Sequence, residues 1–123
     1  MGSLHEASFE PSDESVAAAR GLTRAALSEW GLDPDDVLIA VSELASNAIR
    51  HAGTGYTVAI ELVGASVRVT VTDSYPQQRP SKSRTVRNGR GLEIVDRLAA
   101  DWGVRPEGPG KAYWAVFNPS AIA

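Results

Sequence analysis

Apolar and polar residues repeat with several different periods along the chain, and each change of period marks an element. Leu4 to Phe9 follows a loose two-residue alternation, which predicts an edge strand. Ser12 and Asp13 then offer N-cap side chains to the run SVAAARGLTRAALSEW, whose spacing is helical and which Gly31 ends as a C′ glycine. Gly21 sits inside this helix and lowers its propensity by about 1 kcal/mol relative to alanine. A second helix is signalled by Asp33 as cap, Pro34 in the first turn, and Asp35 and Asp36 at the positive end of the dipole. Leu38, Val41, Leu44, Ala45, Ala48, Ile49 and Ala52 fall on one stripe at about 100° per residue. The helix is therefore expected to reach about Ala52, stop at Gly53, and lay that stripe on a sheet.

Tyr56 to Val63 and Ser66 to Thr72 alternate with period two and are joined by Gly64-Ala65, which predicts a β-hairpin. Ser74 to Asn88 has no periodicity and reads as a loop, long enough to carry function. A short helix should follow Gly91, with Leu92, Ile94, Val95 and Leu98 facing the core. Trp102 to Arg105 and Lys111 to Asn118 form an expected closing hairpin around a turn from Pro106 to Gly110. The order is β-α-α-β-β-loop-α-β-β, with hairpins in place of βαβ crossovers. That order predicts an α+β two-layer sandwich, a mixed and mostly antiparallel sheet with helices on one face. At 123 residues the chain is expected to form a single domain spanning 1–123.

Composition narrows the function classes. The chain has no cysteine, which excludes disulfides, thiolate metal sites and cysteine nucleophiles. It has no apolar run near the roughly 18 residues of a membrane span, and MGSLHEASFE lacks the apolar stretch of a secretory signal. A cytoplasmic protein with no membrane partner is expected. The net charge of −3 is unevenly spread. Residues 1–49 hold nine acids against Arg20 and Arg24, whereas residues 79–90 hold Arg79, Lys82, Arg84, Arg87 and Arg90 with no acid. A basic cluster in an acidic domain is either a solvated loop or a local anion site. Its sparse aromatics argue against direct nucleic-acid binding.

Candidate chemistry lies first on the second helix. Glu43, Asn47 and His51 are spaced i, i+4 and i+8 and share a face away from the apolar stripe, with Arg50 beside them. A solvated polar face is one reading. Against it, asparagine is a poor helix-interior residue, and a carboxylate, an amide oxygen and a cation together suit hard-cation and phosphate chemistry. His5 and His51 are too far apart in sequence to suggest a metal pair, and no nucleophile-elbow pattern is present. Asp73 closes a strand just before the long loop, as either a turn-initiating residue or an acceptor for a ligand amine. Gly89-Arg90-Gly91 opens the third helix, where glycines serve a turn or let backbone N–H groups approach an anion.

The run Glu43-Leu44-Ala45-Ser46-Asn47-Ala48-Ile49-Arg50-His51-Ala52 resembles the N box of the GHKL (Bergerat-fold) ATPases. Asp73 after a hairpin, Gly89-Arg90-Gly91-Leu92, and Gly110-Lys111-Ala112-Tyr113-Trp114 match further motifs in order and spacing. The resemblance covers nearly the whole chain and is closest to stand-alone bacterial anti-sigma-factor serine/threonine kinases. It implies an ATP-dependent protein kinase that phosphorylates a serine or threonine of an anti-anti-sigma (STAS-type) partner and sequesters a sigma factor.

The resemblance also implies roles. Asn47 would ligand Mg²⁺ on the ATP phosphates, Glu43 would be the general base, and Asp73 would accept from the adenine amine. Gly89, Arg90 and Gly91 would line the phosphates, with Arg50 beside them. His51, Leu92 and Lys111 join the nucleotide-binding set as members of the matching runs. Residues 74–88 would form the ATP lid. Relatives of this type are often dimers, and the Leu4 to Phe9 edge offers a place for a homodimer to pair. Two departures imply weaker nucleotide binding. The DxGxG box reads Asp73-Ser74-Tyr75-Pro76-Gln77, and Ala112 stands where relatives often carry threonine. The alternative is a Bergerat-fold binding module that regulates by docking. Plain ATP hydrolysis ranks below both, because it usually serves a transducer domain.

Overall fold

A computed structural model describes residues 3–73 and 90–122. Strand β1 (Leu4–Phe9) is followed by helix α1 (Asp13–Trp30) and helix α2 (Asp35–Asn47), which continues into one π-helical turn, Ala48–Ala52. The hairpin β2 (Tyr56–Val63) and β3 (Ser66–Asp73), helix α3 (Arg90–Leu98), and the hairpin β4 (Asp101–Glu107) and β5 (Gly110–Phe117) complete the order. The strands form one sheet in the order β1-β2-β3-β5-β4, and every pairing is antiparallel rather than mixed.

Local chemistry sets the helix ends. Gly31 adopts φ 71° and closes α1. Its N–H donates to the Ser28 carbonyl and the Leu32 N–H to the Leu27 carbonyl, the pair of bonds of a Schellman cap. Pro34, expected in the first turn, holds the N-cap position of α2, and Asp33 stands one residue before it, its Oδ1 accepting from the Asp35 N–H at 3.0 Å. The chain's end secures this turn, since the Asp33 N–H donates to the Ser120 carbonyl and Leu32 bridges to Ala121. At the other end of α2 the expected α-turn is widened. The Gly53 N–H reaches the Ala48 carbonyl at 3.3 Å, five residues back, and Gly53 takes φ 70°. Such π-turns recur at functional sites.

Period-two alternation gives the sheet a core face and an open face. Tyr56, Val58, Ile60, Val67, Val69, Val71, Tyr113, Ala115 and Phe117 are buried against the helices, whose contribution includes Ala19, Ala26, Leu27, Val41, Leu44, Leu92 and Val95. Each of the larger aliphatic side chains among them contributes roughly 1.5–3 kcal/mol through its removal from water. The two-layer sandwich is the one the sequence predicts. Helix α2 is buried more widely than a single stripe, with Val37 and Ala40 also fully enclosed, because α1, α3 and β3 all pack on it.

The closing hairpin is longer than expected. Pro106 lies within β4, opposite Lys111, leaving only Gly108 and Pro109 between the strands. Proline is tolerated there because β4 is an edge strand. On the open face the Trp114 indole lies across Gly103, where a Cβ would stand 2.8 Å from the ring. Trp102 ties β4 to α3, its Nε1 donating to Asp96 Oδ1 at 2.7 Å. Among the described residues no helix is long and apolar enough to cross a membrane.

Candidate functional site

The alternation that buries Val67, Val69 and Val71 also determines where Asp73 points. As the last residue of β3 it shares their face, beside the helices, and is in register with Tyr56 on one side and Lys111 on the other. Its side chain is 1% exposed. A carboxylate this deep needs compensation, which Lys111 supplies: Nζ lies 3.1 Å from Oδ2, and the Lys111 backbone N–H donates to Oδ1 at 3.4 Å. Lys111 itself is 15% exposed. Two residues along β5, Tyr113 lies under the ammonium, with Nζ 5.7 Å from the ring centroid. Burial, and then the negative charge of Asp73, push the Tyr113 hydroxyl up to about 12.

Gly110 completes this corner. A Cβ there would stand 2.7 Å from the Asp73 carbonyl carbon and 2.8 Å from Oδ1. Only a glycine lets β5 begin so close to the end of β3. Sequence reasoning placed Gly110 in a matching run without assigning it this role; its position directly before a strand was the available signal.

The second cluster lies at the end of α2. Glu43 and Asn47 are one helical turn apart. Asn47 is 2% exposed, buried rather than on a solvated face, and its Oδ1 accepts from Arg50 Nη2 at 2.8 Å. Glu43 is half-buried and makes no hydrogen bond or ion pair among the described residues. Its neighbour Ser42 accepts from Arg20 Nη1 at 2.7 Å and donates to the Leu38 carbonyl, a relay that fixes α1 against this part of α2. The π-turn packs on β3 and interrupts the i, i+4 phase before His51, whose side chain lies outside the described residues.

The structure thus pairs Asn47 with Arg50 and Asp73 with Lys111. Arg90 and Gly91 are the first residues of α3, which starts two residues earlier than expected, and their side chains lie outside the described residues. Leu92 is 3% exposed in the core. Gly89 and the expected lid at 74–88 also lie outside the described residues. No group of three histidine, aspartate or glutamate side chains converges among the described residues. The arrangement offers an amide oxygen able to ligate a hard cation and a sheltered carboxylate able to accept from a ligand donor. Each is presently held by a cation of the chain.

Residues 9–116 match the family of histidine kinase-like ATPase domains, and the chain belongs to that family. It is an ATPase-type domain, for which ATP is the implied ligand. Solved structures share the fold. The RsbU and RsbW domains of Rv1364c from Mycobacterium tuberculosis superpose with a TM-score of 0.75 at 21% identity, over 98% of this chain and 33% of that one. The Acinetobacter baumannii histidine kinase AdeS gives a TM-score of 0.59 at 16% identity, over 92% and 66%. The chain therefore spans a third of the first and just under two thirds of the second. No curated protein matches its sequence.

Proposed function

We propose that this domain binds ATP with Mg²⁺ and transfers the γ-phosphoryl group to a serine or threonine of an anti-anti-sigma, STAS-type partner, and that it also sequesters a sigma factor. The observation that carries the reading is the pairing of Glu43 and Asn47 one turn apart at the end of α2, in a chain of this ATPase family. The structural likeness to a chain containing an RsbW domain supports the same direction. The residues fit the implied groups. Asn47 Oδ1 is a hard oxygen donor, sheltered and within reach of a basic side chain, and Asp73 is a buried acceptor at the sheet's end.

In this reading Asn47 holds the metal, which when bound neutralises charge on the phosphates. Asp73 accepts from the adenine amine. Gly89, Arg90 and Gly91 would line the phosphates, and the helix dipole at the start of α3 favours negative charge there. Arg50, released from Asn47, would pair with a phosphate oxygen, and His51 and Lys111 would belong to the same nucleotide-binding set. Glu43 takes the proton from the partner's hydroxyl as its oxygen bonds to the γ-phosphorus. The bond from that phosphorus to the β–γ bridging oxygen breaks, and ADP leaves.

The test is calorimetric titration of ATP and ADP with and without Mg²⁺, followed by transfer of labelled phosphate to a STAS-type partner. Micromolar binding, on the order of −8 kcal/mol, and label on the partner's serine or threonine are expected. A second reading, a docking module that binds nucleotide weakly, is favoured by one observation: chain cations already hold both Asn47 and Asp73. Partner binding with no detectable nucleotide binding would establish that reading and remove the kinase.

A further inference from the structure

The following inference rests on the proposed reading of Asp73 as the base acceptor. We propose that Lys111 is a built-in competitor for the nucleotide base: its ammonium occupies the carboxylate that the base must use, so Lys111 sets the affinity of the site.

Three observations lead there. A single residue engages both oxygens of Asp73, its backbone N–H at Oδ1 and its Nζ at Oδ2. The register leaves position 111 no choice of face, since it lies directly opposite Asp73 and period-two alternation points both side chains to the helix side. The carboxylate is almost completely enclosed, so the cation beside it matters more than it would at the surface. An exocyclic base amine is a neutral donor. It can donate a hydrogen bond to Oδ2 but cannot supply the positive charge of the Lys111 ion pair, so the base must displace a Coulombic attraction that it does not itself replace.

The surroundings assign the exchange to the side chain. Gly110 seats β5 against the Asp73 backbone, so the strand cannot withdraw to make room. The flexible lysine stem can swing, because the side chain retains 15% exposure while its partner retains 1%. Binding is then a swap of an internal ammonium for a base amine, made by side-chain motion alone.

Adenosine separates this role from phosphate binding, because it carries the base and no phosphate. Adenosine and ATP are titrated into the wild-type domain and into Lys111→Ala, Lys111→Gln and Asp73→Asn, followed by NMR shifts, with thermal unfolding to confirm the fold. Lys111→Ala is expected to bind both ligands about tenfold more tightly, because no internal cation then has to leave the carboxylate. Lys111→Gln keeps a donor without the charge and should move the same way by about threefold; it carries the test should the alanine variant not fold. Unchanged or weaker adenosine binding in the lysine variants overturns the proposal. So does a loss confined to ATP, which would make Lys111 a phosphate ligand. Asp73→Asn separates the two levels: loss of adenosine binding there, with lysine variants unchanged, sinks only the competitor role. Equal binding by all four proteins, or by none, removes the base-acceptor reading and the inference with it.

Discussion

Gly110 and Asp73 are in backbone contact across the start of β5: the space a side chain would need at Gly110 is filled by the Asp73 carbonyl group and Oδ1. Backbone cannot yield as the tip of a flexible side chain can. Gly110→Ala should therefore destabilise the domain by about 3 kcal/mol or more, at the upper end of overpacking costs. Denaturant unfolding measures this. Because the same clash moves Asp73, nucleotide binding should fall even at temperatures where the variant is folded.

Gly21 presents the opposite case. It lies on the exposed side of α1, and a Cβ there would meet nothing within 4 Å. Gly21→Ala should raise stability by about 0.5–1 kcal/mol through helix propensity and a less flexible unfolded chain. A lowered unfolding midpoint would show that the position is constrained by something other than helix formation.

For Asn47→Ala the expectation is loss of Mg²⁺-dependent ATP binding with the fold retained. Asn47 is buried and accepts a hydrogen bond from the charged Arg50, so its removal should cost about 1.5–3 kcal/mol of stability, which thermal unfolding measures alongside binding. Full ATP affinity in this variant, measured by calorimetry, would rule Asn47 out as the metal ligand.

Glu43→Ala should bind ATP like the wild type and fail to transfer phosphate. Glu43 makes no bond within the described structure whose loss would disturb the fold. Undiminished phosphate transfer to a genuine partner would refute its assignment as base.

Alkaline pH tests the surroundings of Asp73. Tyr113 titrates near 10.0 when unfolded and about 12 when folded, so between these values the unfolded chain binds fewer protons. Stability must fall as pH rises through that window, by roughly 2 kcal/mol at about 1.4 kcal/mol per unit. Tyr56 is also raised, by burial, and adds in the same direction. Unfolding free energies from pH 9 to 12 should fall less steeply in Tyr113→Phe than in the wild type.

The parts of the fold legible in the sequence were those fixed by neighbours along the chain. Gly31 marked the end of α1 because a left-handed cap is a local requirement. The Val67, Val69 and Val71 alternation gave β3 its buried face. What escaped depends on contacts between distant segments. A pattern of hairpins cannot say that β5 inserts between β3 and β4. The π-turn at Ala48–Ala52 keeps a helical sequence, and its extra residue appears only where the Gly53 N–H finds the Ala48 carbonyl. In the candidate site, Glu43, Asn47 and Asp73 stood out by type and spacing. The ion pair of Lys111 with Asp73 did not, because it depends on a register set between residues 38 positions apart.

The bond from Trp102 to Asp96 gives the domain an optical handle. An indole whose N–H is held by a carboxylate changes its emission when that bond lengthens, and here the carboxylate belongs to α3 while the ring belongs to the sheet. Trp30 lies beside His5 and Trp114 across Gly103. Replacing those two with phenylalanine would leave one fluorophore that reports tilting of α3, in real time and without a label.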